Sequence, residues 1–253
     1  MMKVFHKIAD WQTARNGPEF VGKKIGFVPT MGALHAGHRA LLERARAEND
    51  VVVLSIFVNP TQFNDPADLQ RYPRTLEADL SLSAGLVDAV LSPANEELYP
   101  DDYHYRVTEN DLSLRWEGAH RPGHFDGVLT VVVKLLNLVQ AHRAYFGEKD
   151  WQQLQLVSGM ARALFIPTEI VACTTERALD GLALSSRNAR LSLAGRTQAA
   201  IFPKILRESA TADAAVPLLQ AAGFGVDYVA DHDNIRLGAV RLEGIRLIDN
   251  VRL

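Results

Sequence analysis

The sequence predicts an α/β chain, a doubly wound parallel sheet followed by a smaller α+β domain. Strand-like runs alternate with helical stripes through the first two thirds, which places helices on both faces of a parallel sheet. Val51 to Val58 is almost continuously apolar, broken only by Ser55, as expected of a strand covered on both sides. Beyond Asn188 the pattern changes to an Ala-rich helical stretch and then to short strand-like runs separated by turn residues. A length of 253 residues suffices for one large core and a smaller companion.

Lys24 to Val28 reads as the opening strand. Pro29 has no N–H for a central ladder and is expected to end it, Gly32 marks a turn, and a helix follows with Leu34, Leu41, Leu42 and Ala45 on one face. Val51 to Val58 is the next strand, Thr75 to Ala84 a helix, and Val87 to Leu91 another strand. Val128, Val131, Val132, Leu135, Leu136 and Val139 follow the i, i+3, i+4, i+7 spacing of a buried helix face, ahead of a strand at Ala144 to Phe146. Leu154, Val157, Ala161 and Leu164 mark a further helix and Glu169 to Cys173 a further strand. The tail offers strands at Val226 to Val229, Gly238 to Leu242 and Ile245 to Ile248, with turns at Asp233/Asn234 and Gly244. A boundary near residue 175 divides the chain into residues 1–175 and 176–253. Ligands of doubly wound sheets collect at the carboxyl ends of the strands.

Composition narrows the classes of function. A formal charge of −3 and a pI of about 6.2 give no basic surface for nucleic acid. One cysteine, Cys173, excludes an internal disulfide framework, suits a reducing cytosol, and sits in an apolar run where a buried strand position outweighs a nucleophilic role. No apolar run is long enough to cross a bilayer, and the opening MMKVFHKIAD has charges where a signal peptide needs an apolar core, so a cytoplasmic protein without membrane contact is expected.

Polar residues that could carry chemistry fall in separate clusters. In IGFVPTMGALHAGH, residues 25–38, His35 and His38 share one face of a first helical turn, and Gly37 between them has no side chain. Free N–H groups and the helix dipole there favour an anion, although a bare pattern of this kind is more often a capping histidine and an ordinary surface one. The second cluster, Asn59 to Asn64, follows a buried strand, so Gln62 can read a carboxylate or hydroxyl, or can be part of a plain polar turn. The third is GEKDWQQL, where Lys149 offers a cation, Asp150 a metal ligand or helix cap, and Gln153 shares the helix face with Asp150. The fourth is DGLALSSRN, where Ser185, Ser186 and Arg187 suit phosphate oxygens and a serine-rich turn is the alternative. EGAHRPGHFDGV, residues 117–128, reads as a structural wall rather than a catalytic segment.

MGALHAGH resembles the ATP loop of the pantothenate synthetase (pantoate–β-alanine ligase) family, within the HxGH nucleotidylyltransferases of Rossmann-like fold. NPTQF, YPRT, GEKD and LSSRN follow in that family's order, and the resemblance runs from Lys24 to the closing RLIDN. It implies ATP-dependent ligation of (R)-pantoate and β-alanine through a pantoyl adenylate. It assigns catalysis to His38, the proton donor, with His35, Lys149 and Arg187. It places ATP against Met31, Gly32, Ala33, Leu34, His35, Ala36, Gly37, His38, Gly147, Glu148, Lys149, Asp150, Glu176, Leu184, Ser185, Ser186 and Arg187. Gln62 would contact pantoate and β-alanine, Gln153 pantoate, Asp65 to Arg71 would form a mobile flap, and residues 176–253 a lid. Mg2+ is implied with Asp79 as a ligand, as is a homodimer. Two departures stand out: Glu176, Arg177 and Ala178 replace Val-Arg-Glu, and Ala78 replaces a common second acid. A different adenylyl or cytidylyl transferase, or a non-catalytic nucleotide-binding protein, is the competing expectation.

Overall fold

Residues 2–253 are described by a computed structural model. The chain opens with a short strand, β1 (Lys3–Phe5), and a helix, α1 (Ile8–Arg15), neither of which the sequence pattern predicts. They are three and eight residues long, too short for a periodic pattern to register. The elements then run β2 (Ile25–Thr30), α2 (Ala36–Glu48), β3 (Val51–Ile56), α3 (Pro66–Arg71), α4 (Leu76–Ser83), β4 (Ala89–Leu91), α5 (Asn95–Leu98), α6 (Trp116–His120), α7 (His124–Val139), β5 (Arg143–Gly147), α8 (Trp151–Ala163) and β6 (Glu169–Cys173).

These six strands form one parallel sheet in the order β1-β4-β3-β2-β5-β6. The predicted doubly wound order is therefore present, with its reversal between β2 and β5. Successive residues of a strand face opposite sides, and both sides are apolar. Val51 and Val53 of β3 pack with Ile25, Phe27 and Leu129, whereas Val52, Leu54 and Ile56 pack with Val28, Leu42 and Ala45 of α2. The predicted stripe Val128, Val131, Val132, Leu135, Leu136 and Val139 is buried along α7. Cys173 is buried in β6, as expected.

Pro29 does not end its strand, contrary to expectation, and pairs with Ser55 of β3. Parity explains why. The carbonyl of Lys24 accepts from β3 and that of Thr30 from Phe57, whereas Ile25 accepts from His142 on the β5 side. Odd-numbered residues of β2 therefore turn their peptide groups towards β5, where the ladder stops at Phe27, so the missing N–H of Pro29 interrupts no bond.

The chain divides into two compact units. The larger holds the parallel sheet, and the smaller gathers His35–Gly37, Glu148–Trp151 and Thr174–Leu253. Within the latter, α9 (Leu193–Ala199), α10 (Ile201–Glu208) and α11 (Ala212–Ala221) precede the antiparallel sheet β7 (Gly225–His232), β8 (Ile235–Leu242) and β9 (Ile245–Arg252). The hairpin turns fall at the expected residues: Asp233 and Gly244 have φ of 50° and 74°. Phe202, Leu206, Leu219, Val240 and Leu247 make its core.

Two arginines organise this smaller unit. Arg236, 1% exposed, makes a two-pronged pair with Asp231 and donates to the carbonyls of Leu206 and Ser209 at the end of α10, where a cation also meets the negative end of the helix dipole. Arg177 forks onto buried Asp249 at 2.7 and 2.9 Å and donates to the Asn250 carbonyl. It thereby anchors the small hairpin of residues 176–184, closed by backbone bonds Ala178 to Leu182 and Leu184 to Glu176. Glu176 and Ala178 enter that hairpin through their main chain, so the departures at these two positions leave its hydrogen bonds intact. Among the described residues, no helix is long and apolar enough to cross a membrane.

Candidate active site

The sheet reverses direction between β2 and β5, and both strands release their chain at the carboxyl edge, β2 into Met31–His35 and β5 into GEKD. In the first loop Gly32 and Ala33 are consecutive left-handed residues, at φ 80° and 52°. That conformation turns successive N–H groups to one side, the arrangement of an anion nest. The protein fills this nest itself. Asp79, 2% exposed on α4, accepts from Ala33 at 3.0 Å and Leu34 at 2.7 Å, with the Thr75 hydroxyl 3.3 Å from both its oxygens. A Cβ on Gly32 would lie 2.9 Å from the Asp79 carboxylate, so the glycine is required for closeness as well as for its φ. Two of the amides expected to face an anion are therefore committed to Asp79.

Gln62 lies in a 3-10 turn, Pro60–Gln62, beyond β3. Its backbone carbonyl accepts from His124 Nδ1 at 2.8 Å and Arg121 Nη2 at 3.2 Å. Arg121 also bonds Glu117 and reaches His124 Nε2 at 3.1 Å; since a guanidinium only donates, Nε2 accepts and the His124 proton sits on Nδ1. The expected wall segment thus grips the turn that carries Gln62. Asn59 Nδ2 donates to Gln62 Oε1 at 2.9 Å and to the Gly127 carbonyl at 3.1 Å. A Cβ at Gly127 would lie 2.5 Å from the Thr61 carbonyl oxygen, so α7 approaches this turn backbone to backbone. Gln153 is half-buried on α8, while its neighbour Gln152 is buried and spent on Glu117, Leu112 and Arg115. His38 is half-buried in α2.

In the smaller unit, His35 stands one residue ahead of α2 and its Nδ1 accepts from the Gly37 N–H at 3.1 Å, as a capping histidine does. Gly37 is bare because a Cβ there would lie 3.0 Å from the His35 ring. Burial, reinforced by the Lys149 cation and opposed by Asp150, lowers the His35 pKa to about 4. At neutral pH its ring is uncharged, with Nε2–H as its one N–H donor. The Lys149 side chain is only 18% exposed, with Asp150 3.8 Å away. The backbone around it is tied down: Asn250 Nδ2 donates to the carbonyls of Glu148 and Lys149 at 2.8 and 2.9 Å. Ser185 caps the 3-10 turn Ser186–Arg190 by accepting from the Arg187 N–H, and Asn188 bonds the Ala183 carbonyl. Ser185 is therefore a turn residue here, with Ser186 and Arg187 carried on the turn it caps.

Sequence alone does not single out Tyr99 and Arg121 as partners of the Gln62 turn, because their link is tertiary and no spacing encodes it.

An α/β protein with an HxGH loop at the switch point of a doubly wound sheet belongs to a class whose ligands meet the carboxyl edge of that sheet. The family model for pantoate–β-alanine ligase matches residues 3–252. The pantothenate synthetase of Bdellovibrio bacteriovorus is 54% identical over 90% of this chain and 92% of its own. That of Legionella pneumophila is 48% identical over the whole of both. Among solved structures, the pantoate–β-alanine ligase of Francisella tularensis, complexed with beta-gamma ATP and β-alanine, superposes with a TM-score of 0.95 at 40% identity, covering 100% of this chain and 98% of that one. The pantothenate synthetase of Thermus thermophilus gives 0.90 at 44% identity over 99% of each chain. The chain belongs to the pantoate–β-alanine ligase family.

Proposed function

We propose that this protein condenses (R)-pantoate with β-alanine at the expense of ATP, forming pantothenate, AMP and pyrophosphate. The observation that carries the reading is the full-length match to the Francisella ligase, solved with a nucleotide and β-alanine, by a chain that keeps all the site loops. A pantoate carboxylate oxygen attacks the α-phosphorus and the bond to the bridging oxygen breaks, releasing pyrophosphate. The β-alanine amine then attacks the acyl carbon of the adenylate, forming the C–N bond and giving up an N–H proton to solvent as AMP leaves with the C–O electrons. Alignment and charge stabilisation suffice for both steps.

In this reading the nucleotide lies along Met31 to His38, Gly147 to Asp150, Glu176 and Leu184 to Arg187, with His38 as proton donor. His35, neutral, donates through Nε2–H, and Lys149 and Arg187 supply positive charge. Gln62 contacts both pantoate and β-alanine, Gln153 pantoate. Residues 1–175 bind nucleotide and pantoate, and residues 176–253 serve as a lid. A cytoplasmic homodimer completes the assignment. Asp79 does not fit as a metal ligand, since its buried oxygens are occupied by Ala33, Leu34 and Thr75. Among the described residues no cluster of three or more His, Cys, Asp or Glu could hold a metal. We therefore place Mg2+ with the phosphates of its nucleotide, and no step above passes through it.

Exchange of labelled pyrophosphate into ATP tests the first half-reaction. Exchange that requires pantoate and is lost in His38→Ala is expected, and exchange indifferent to pantoate refutes the assignment.

A further inference from the structure

Asn59, 1% exposed, has every polar atom of its side chain engaged, and the identity of its partners dictates which way Gln62 faces. The Gly127 carbonyl can only accept, so the Asn59 atom 3.1 Å from it is the nitrogen. That nitrogen has one hydrogen left and no acceptor capacity. The Gln62 atom 2.9 Å from it must therefore be the oxygen Oε1. At the other end, both lone pairs of Asn59 Oδ1 are filled, by the Tyr99 hydroxyl at 2.7 Å and the Thr61 hydroxyl at 3.0 Å, which lie 3.3 Å apart.

We infer that Tyr99 and Thr61 are positioning residues that lock the Gln62 carboxamide through Asn59, so that Gln62 meets its substrate with Nε2–H groups only. This deepens the reading of Gln62 as a pantoate residue and rests on it. The substrate group that suits this donor-only face is one that only accepts, the pantoate carboxylate, and an analogue presenting an amide N–H₂ there is refused. Turning the carboxamide over would set donor against donor at Asn59.

Surroundings keep the phenol in place. Tyr99 is buried, with the Tyr103 ring edge-on at 5.6 Å and Lys134 Nζ 4.5 Å from its centroid. Burial raises the phenol pKa to about 12, so the hydroxyl keeps its proton throughout the neutral range. His124 and Arg121 hold the Gln62 backbone carbonyl, so main chain and side chain are fixed from different elements.

A double-mutant cycle in the full-length enzyme tests the relay. Tyr99→Phe and Thr61→Val are combined, in chains with Gln62 and with Gln62→Ala, and KM is measured for pantoate and for ATP. In the Gln62 chain the pair is expected to raise the pantoate KM about tenfold with the ATP KM within twofold; in the Gln62→Ala chain it changes the pantoate KM less than twofold. Equal effects in both chains, or equal effects on both substrates, overturn the relay. An unchanged pantoate KM in Gln62→Ala alone overturns the underlying reading of Gln62. Gln62→Glu provides a direct check of orientation and leaves Tyr99 and Thr61 untouched. With one oxygen turned to Asn59 it presents the other to the acid, and is expected to raise the pantoate KM beyond that of Gln62→Ala. A Gln62→Glu enzyme that binds pantoate as well as wild type shows that an acceptor works there, and overturns the proposal.

Discussion

The same substitution at two helical glycines should move stability in opposite directions. Gly159 of α8 has no atom within 4 Å of the point a Cβ would occupy, and its φ is not left-handed. Gly159→Ala therefore gains the helix propensity difference alone, about 0.5–1 kcal/mol, through a less free unfolded chain. Gly127 of α7 faces main-chain atoms: its Cβ would lie 2.5 Å from the Thr61 oxygen and 2.7 Å from the Gln62 nitrogen. Ordinary contact would require α7 and the turn to part by about 0.7–0.9 Å, an overpacking that costs about 1–3 kcal/mol and outweighs the propensity gain. That displacement would also lengthen the 3.1 Å bond from Asn59 Nδ2 to the Gly127 carbonyl beyond hydrogen-bond range. Gly127→Ala should thus melt several degrees lower and raise the pantoate KM, at about 2–4 °C per kcal/mol for a chain of this size. Gly159→Ala should melt slightly higher with unchanged kinetics. Calorimetry with steady-state kinetics decides the matter, and a Gly127→Ala enzyme as stable as wild type with normal pantoate affinity would refute the close-approach argument.

Asp79→Ala should release the Ala33 and Leu34 amides and raise the ATP KM, with the Mg2+ dependence at saturating ATP unchanged; a shifted Mg2+ requirement would restore Asp79 as a ligand. The His35 pKa is lowered on folding, so the unfolded chain binds the extra proton first; His35 therefore favours the native state above pH 6.5, and that advantage fades as pH falls towards 4. A ring resonance titrating near 6.5 in the native enzyme would contradict it. Arg236→Ala leaves Asp231 and the Leu206 and Ser209 carbonyls without their shared donor and should cost about 1–3 kcal/mol by denaturant unfolding, since the remaining Asp231 carboxylate is partly solvated. Loss below 1 kcal/mol would mean that water replaces the guanidinium.

Most of the parallel sheet was legible because a strand buried on both faces leaves a continuous apolar run, as Val51 to Ile56 does, and a helix against it leaves a stripe, as in α7. Pro29 misled because residue type reveals a missing donor, whereas strand parity decides whether that donor was wanted. Three of the polar segments follow β2, β3 and β5, as the strand pattern implies, but their internal wiring is not written in the sequence. Asp79 lies 46 residues from Ala33 and Tyr99 40 residues from Asn59, and no local pattern spans such separations. His35 shows how both readings of one residue can coexist: it caps through Nδ1 while its proton sits on Nε2.

Asn250 carries a consequence for how the protein folds. It stands on β9, yet it binds carbonyls 102 and 101 residues earlier, in the turn that bears Lys149. The segment between them must therefore be in place before that turn acquires its partners, and contacts so distant in sequence form late. Until β9 zips onto β8, a folding chain has its first histidine loop and its lysine turn without the scaffold that steadies the latter. The order of the lysine turn should accordingly arrive in one step with the pairing of β9.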